Sequence, residues 1–265
     1  MSGAATTTTT TTTTTTPYAL ETRKLSMRFG AIAVTRDVDL RIAQGARHAL
    51  IGPNGAGKTT FVNLVTGMLA PTDGAILLNG REVTRSSPQQ RVAGGMARTF
   101  QLNTLFNDLT VAENIAIPVA QRLGASWRPW GRSGADRAVT EEVALLMDQL
   151  GILALAPRRV ADLAYGQRRL IEMAIALALK PRLLLLDEPA AGIPNGESGI
   201  IIDLLERLPQ DIAIVLIEHD MNLVFRFASH ITVLVEGAVL TEGTTAQVRA
   251  DERVRNVYLG RRHHG

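Results

Sequence analysis

The chain has 265 residues, a mass of 28.6 kDa and 46% hydrophobic content, enough for one full-sized core or for one large and one small domain. With no cysteine and only five scattered histidines, neither a disulfide framework nor a thiolate-ligated metal is available and an all-histidine centre is disfavoured, which suits an intracellular compartment. The pI near 9.7 overstates the basicity: the net charge is +3, and the 28 basic residues comprise three lysines and dispersed arginines, which argues against a nucleic-acid partner.

Residues 1–16 are Met-Ser-Gly-Ala-Ala followed by eleven threonines. This low-complexity tail has no apolar periodicity and is expected to stay disordered outside the fold. It has neither the basic start and apolar middle of a secretory signal nor the arginines of a transit peptide. No apolar run approaches the 18 residues that would span a bilayer, so a soluble chain is expected.

From Tyr18 to Ile42 the sequence alternates and is rich in β-branched residues, with a turn at Phe29-Gly30, which predicts short antiparallel strands. Ala46 to Ile51 reads as a compact apolar strand that leads into a glycine-rich turn and a helix from about Lys58. Between about 102 and 180 a helical subdomain is expected. Thr110 to Glu113 forms a capping box there, and Val139, Val143, Leu146 and Leu150 make one stripe of a helix that Gly151 ends. Leu183–Leu186 and Ile212–Ile217 are apolar throughout, as parallel strands covered on both faces should be. Ile231–Val235 turns at Glu236-Gly237 into a return strand, and a capping box from Thr244 to Gln247 opens a helical C-terminal segment. Residues 17–260 are expected to form a single domain, with 261–265 as a tail.

Gly52-Pro53-Asn54-Gly55-Ala56-Gly57-Lys58-Thr59 matches the phosphate-loop pattern, with Thr60 beside it. Its glycines let backbone N–H groups cradle phosphates, Lys58 reaches the β/γ oxygens, and the Thr59 hydroxyl is a magnesium ligand. Asp187 follows four leucines at the end of a buried strand, with Glu188 next to it. The pair reads as a metal-orienting acid followed by a base for the attacking water, against the blander reading of a solvated strand exit. No lysine follows an asparagine, so the guanine-recognising Asn-Lys-x-Asp pattern is missing.

Leu163-Ala164-Tyr165-Gly166-Gln167, ending 20 residues before Asp187, resembles the signature motif of ABC-type ATPases. A glycine turn at a helix N-terminus presents N–H donors and partial positive charge to an anion. In the family, that anion is the γ-phosphate of ATP bound to the opposite subunit. Gln101, closing Ala97 to Gln101, resembles the glutamine loop that touches magnesium and the lytic water. His219 resembles the switch histidine, and Phe29 the aromatic residue that stacks on adenine.

The resemblance spans about Tyr18 to Gly260. It implies an α/β fold: a P-loop NTPase core with a mixed, mainly parallel sheet, an N-terminal antiparallel β subdomain and the inserted helical subdomain. It implies ATP and Mg2+ as cofactor and metal, Glu188, His219, Lys58 and Gln101 as catalytic groups, and Thr59, Gln101 and Asp187 around the metal. Within the family, Ala97 to Gln101, the Tyr165 signature, Ala190 to Pro194 and the segment from Gln247 through Gly260 resemble ATP-binding subunits of the branched-chain amino acid uptake class.

Implied partners are transmembrane permease subunits, a second ATP-binding subunit, commonly a different one, and, indirectly, an extracytoplasmic solute-binding protein, at the inner face of a bacterial membrane. A soluble ABC ATPase acting on nucleic acid or ribosomes is the alternative; its usual coiled-coil insertion or fused second cassette is missing here. Two departures stand out. Ala164 replaces the family's usual serine, and Pro194, followed by Asn195, stands where many relatives have aspartate. Trp127 and Trp130 flank Arg128-Pro129 and are expected to pack on the helical subdomain, with a permease contact as the other reading.

Overall fold

The computed structural model describes residues 18–99, 105–125, 134–191 and 198–259. Two sheets organise them. Strands β1 (Tyr18–Phe29) and β2 (Ile32–Ala43) form a hairpin, followed by β3 (Arg47–Ile51) and α1 (Lys58–Thr66). Next come β4 (Asp73–Leu78), β5 (Arg81–Glu82), α2 (Pro88–Ala93) and β6 (Met96–Thr99). The helices α3 (Val111–Leu123), α4 (Gly134–Gln149) and α5 (Tyr165–Ala178) precede β7 (Leu183–Asp187). The chain continues through α6 (Ser198–Arg207), β8 (Ala213–Ile217), α7 (Met221–Phe227), β9 (His230–Val235), β10 (Ala238–Thr244), α8 (Thr245–Ala250) and α9 (Glu252–Leu259).

The smaller sheet has the order β2-β1-β4-β5 and is antiparallel. The larger has the order β10-β9-β3-β8-β7-β6 and is parallel except for its β10 edge. The α/β class with an N-terminal antiparallel sheet is as expected. The N-terminal strands are not short, however: each runs for 12 residues. Left-handed residues at Lys24 (φ 45°) and Asp37 (φ 46°), with register shifts near both, let so long a hairpin twist without breaking. The Asp39 carboxylate accepts from the Lys24 N–H at 2.8 Å and holds one of these bulges.

The uniformly apolar strands have two covered faces. Leu184, Leu186, Ile214 and Leu216 pack with Val111, Ile115, Val139, Val143 and Ile171 on the helical side. Leu183, Leu185, Val215 and Ile217 pack with Leu20, Leu40, Phe61 and Ile76 on the side of α1 and the small sheet. Alternation would leave polar side chains on one of those faces, so none is found. A third cluster joins Ala49, Ile51, Ile231 and Val233 to Val224 of α7, Val248 of α8 and Val254 of α9.

Local signals behave as the sequence predicts. Thr110 and Glu113 complete a reciprocal cap on α3, as do Thr244 and Gln247 on α8. Helix α4 ends in a Schellman turn: Gly151 (φ 69°) donates to Asp148 O and Ile152 to Met147 O, both at 2.9 Å. Over 73–96 the sequence reading predicts no element, although Ser87-Pro88-Gln89-Gln90 is itself a capping box with proline in the first turn. There the buried Arg91 donates to Leu64 O and Val65 O at 2.6 Å each, satisfying carbonyls at the C-terminal end of α1. Among the described residues no helix is long and apolar enough to cross a membrane.

Candidate functional site

The strand order puts the C-terminal ends of β3, β8 and β7 side by side, and the segments leaving them converge. Gly55 (φ 80°) and Gly57 (φ 95°) bend the loop after β3 through left-handed conformations. A Cβ on Gly57 would lie 2.7 Å from Val34 O, and one on Gly52 2.3 Å from Leu234 O, so packing demands glycine at both, and at Gly57 the dihedral angle does too. Gly57 is also the N-cap of α1 and offers no side chain to the first-turn amides. Those donors, with the positive end of the helix dipole, remain free for an anion.

A cleft of about 380 Å3 lies over this turn, lined by Val34, Asn54 to Thr60 and Glu188. Lys58 Nζ folds back to donate to Gly52 O at 2.6 Å and Pro53 O at 3.2 Å. Burial pulls its ammonium below the ordinary lysine value, while the nearby Glu188 and Asp187 carboxylates partly offset that pull.

Asp187 is buried and receives a hydrogen bond from Arg98 Nη2 at 2.6 Å; Arg98 also donates through Nη1 to Asn63 Oδ1 of α1 at 3.0 Å. Arg98 thus ties β6, β7 and α1 together behind the loop, a role that the sequence pattern did not single out. Glu188 has φ 47°, and its N–H donates to Ile217 O at 2.8 Å, locking it against β8. Its Oε1 lies 3.7 Å from His219 Nδ1, which lies equally far from Glu218 Oε2. Glu218 is 1% exposed. Burial raises its carboxyl above the usual range, against the opposing pull of amide donors from Ala190, His219 and Asp220. A charge directly after six apolar residues, Ile212 to Ile217, is the same sequence signal that marks Asp187.

The signature-like turn stands apart. Leu163 is buried, Tyr165 is 48% exposed, and none of Leu163, Ala164, Tyr165, Gly166 and Gln167 lines the phosphate cleft. Gln167 Oε1 accepts from the Ala164 N–H at 3.2 Å, one half of a capping box whose other half needs a hydroxyl that alanine lacks. Tyr165 Oη donates to Ala191 O at 2.9 Å and accepts from Arg169 Nη2 at 2.8 Å, with the guanidinium 5.3 Å from its ring centroid. Phe29 ends β1, half exposed, paired with Ile32 and outside the cleft lining. Gln101, the Thr-rich tail, Trp127, Trp130, Pro194, Asn195 and Gly260 lie outside the described residues.

Helix α9 flanks the loop from behind. Asn256 and Val257 line a cavity of about 230 Å3 with Pro53 to Ala56, Val235 and Glu236. The buried Tyr258 hydroxyl faces the Gly52 amide, and burial pushes its pKa up to about 12.

The geometry agrees with the chain's relatives. Residues 35–191 match the ABC transporter family, and residues 238–264 match the C-terminal family of branched-chain amino acid ATP-binding cassette transporters. The high-affinity branched-chain amino acid transport ATP-binding protein BraF of Pseudomonas aeruginosa is 37% identical over 250 residues, covering 91% of this chain and 97% of that protein. LivG of Escherichia coli, named for the same transport role, is 37% identical over 249 residues with the same coverage of 91% and 97%.

Among solved structures, the ADP conformation of an ATP-binding cassette of an ABC transporter superposes with a TM-score of 0.78 at 26% identity, covering 92% of this chain and 99% of that one. A nucleotide-free ATP-binding cassette gives 0.77 at 26% identity, covering 91% and 98%. A phosphate loop at the head of α1, an acid pair at the end of β7, and relatives matched along nearly their whole length lead to one conclusion: the chain belongs to the ABC transporter family of ATP-binding ATPase subunits.

Proposed function

We propose that this chain hydrolyses ATP to drive an importer of branched-chain amino acids or a related small polar solute, with the solute passing through separate permease subunits. The observation that carries this reading is the division of the site. One cleft gathers the first-turn amides of α1, Lys58 and Glu188, while the signature-like turn is no part of its lining and leaves Tyr165 half exposed.

A triphosphate seated on Gly52 to Thr60 would meet backbone amides and the Lys58 ammonium, which together stabilise charge on the transferred group. Glu188 would take the proton from the attacking water. His219, at its side, would bond the γ-phosphate and Gln101 would orient the water. Phe29 would stack on the adenine. Leu163 to Gln167 would serve the nucleotide held by a second ATP-binding subunit, so that two chains close over two nucleotides.

The oxygen donors suit Mg2+, which favours hard ligands, keeps much of its water and is bound largely through substrate phosphates. Thr59 lines the cleft, and the Asp187 carboxylate is close enough to act on Lys58. Thr59, Gln101 and Asp187 would hold the ion, which when bound neutralises charge on the phosphates. The partner ATPase is proposed to be a different subunit, with the pair seated peripherally on permeases at the inner face of the membrane and loaded indirectly by a solute-binding protein. The relatives named above are transport subunits, which gives a nucleic-acid or ribosomal role no support.

Glu188→Gln should preserve ATP affinity and abolish turnover; near-normal hydrolysis would remove Glu188 from its role. Membrane association only on co-expression with permeases from neighbouring genes should follow, and purification with ribosomes or DNA instead would overturn the transport reading.

A further inference from the structure

Two loops must agree in position for hydrolysis: the turn that carries Glu188 and the strand exit that carries His219. Little apolar packing is available to align them. His219 is largely exposed, and Glu188 is one-third exposed and left-handed. What spans them is Glu218. Its Oε1 accepts from the Ala190 N–H at 3.1 Å, in the Glu188 turn, and its Oε2 accepts from the N–H of His219 at 3.0 Å and of Asp220 at 3.5 Å.

A buried carboxylate is costly, and here both oxygens are used as acceptors towards two different loops. The Glu188 turn is gripped from its other end by Tyr165, whose hydroxyl donates to Ala191 O at 2.9 Å, and it closes on itself through the Ala191 N–H to Glu188 O at 3.0 Å.

We propose that Glu218 is a positioning residue that clamps the Glu188 turn to the His219 loop, and that Tyr165 pins the same turn to the signature motif of the same chain. The inference rests on the roles given above to Glu188 and His219. The stereochemistry makes it specific. Glutamine at 218 keeps size and shape but has one acceptor oxygen, so its amide N–H2 must face an N–H donor on one of the two loops.

The full-length chain is tested as Glu218→Gln, Tyr165→Phe and Glu188→Gln, with ATP affinity, kcat and amide exchange measured for each. Glu218→Gln is expected to exchange the Ala190 or His219 amide about tenfold faster while the β8 amides are unchanged, the size of one lost hydrogen bond. Its kcat should fall at least about tenfold, with ATP affinity within about twofold, because the phosphate loop is not touched. Tyr165→Phe alters an exposed hydroxyl and leaves the core intact; it should speed Ala190 exchange in the same direction by a smaller factor.

Unchanged exchange at both amides in Glu218→Gln, or an unchanged kcat beside an inactive Glu188→Gln, overturns the clamp. Loss of ATP affinity in step with kcat also overturns it, since it marks a general structural defect. Hydrolysis surviving in Glu188→Gln is a separate outcome: it defeats the site assignment, while the exchange data still decide whether Glu218 joins the loops.

Discussion

The phosphate loop and the signature turn are both glycine-containing entries to a helix, yet the fold treats them in opposite ways. The first is closed in by its own chain. Ala56 O accepts from the Gly237 N–H at 3.0 Å, Val34 O and Leu234 O press on Gly57 and Gly52, and α9 stands behind. The second is open: Tyr165 is half exposed, and α5 is capped only by Gln167. A loop that must hold phosphate by itself has to be rigid before the ligand arrives. A turn that completes a site on another subunit needs an accessible face. On the function proposed above, the difference between the two separates the half of the site that each chain would supply to itself from the half that it would lend.

Substitutions at the two turns should break that contrast most sharply. Gly57→Ala places a Cβ 2.7 Å from Val34 O at a left-handed position. It should abolish ATP binding by the lone chain and lower stability by about 3 kcal/mol, measured by nucleotide titration and denaturant melts. Gly166→Asp puts an anion on the open turn. It should leave ATP binding by the lone chain within about twofold while cutting assembled turnover by about a thousandfold. Equal loss of binding by the lone chain in both variants would erase the distinction.

Acid sharpens the comparison from the side of the fold. His48, on the strand that feeds the phosphate loop, is buried with Nε2 2.8 Å from Thr232 Oγ1, and burial, with His230 nearby, lowers its pKa from 6.5 to about 4. The neutral imidazole is the form that fits. Its contribution is full above pH 6.5 and declines as pH falls to about 4. The loss over that window is of the order of 3 kcal/mol. Unfolding free energies of the wild type and His48→Gln should diverge above and converge below this range; parallel pH profiles would show that His48 does not titrate there.

The smallest effect is expected at Ala164. Ala164→Ser supplies the missing cap hydroxyl and a donor towards a partner's nucleotide, worth up to about 1.5 to 3 kcal/mol. It should preserve assembled turnover or raise it several-fold, and a large fall would contradict the proposed orientation of the turn.

Legibility in the sequence followed the range of the interactions. Gly52 to Thr59 was readable because each position answers a local demand, a left-handed dihedral or a phosphate contact. The caps at Thr110 and Thr244 were readable because donor and acceptor lie three residues apart. Arg98, inside Ala97 to Gln101, and Glu218, directly before His219, have roles that the sequence does not reveal. Their partners, Asp187 and Ala190, lie 89 and 28 residues away, and no period encodes such a pair. Arg91 was missed for the same reason, since it satisfies α1 carbonyls 26 and 27 residues upstream.

The sequence by itself determined the phosphate loop, the acid pair, the order of the motifs and the parallel strands, because spacing and apolar runs are local quantities that any fold of this chain must respect. Only the tertiary structure decided that Asp187 is held by Arg98, that Glu188 and His219 stand 3.7 Å apart beside a shared buried carboxylate, and that the signature-like turn lies outside the cleft lining. Those relations are set by which strand ends lie next to each other in the sheet, and strand order is fixed by long-range packing rather than by any residue's neighbours in the chain.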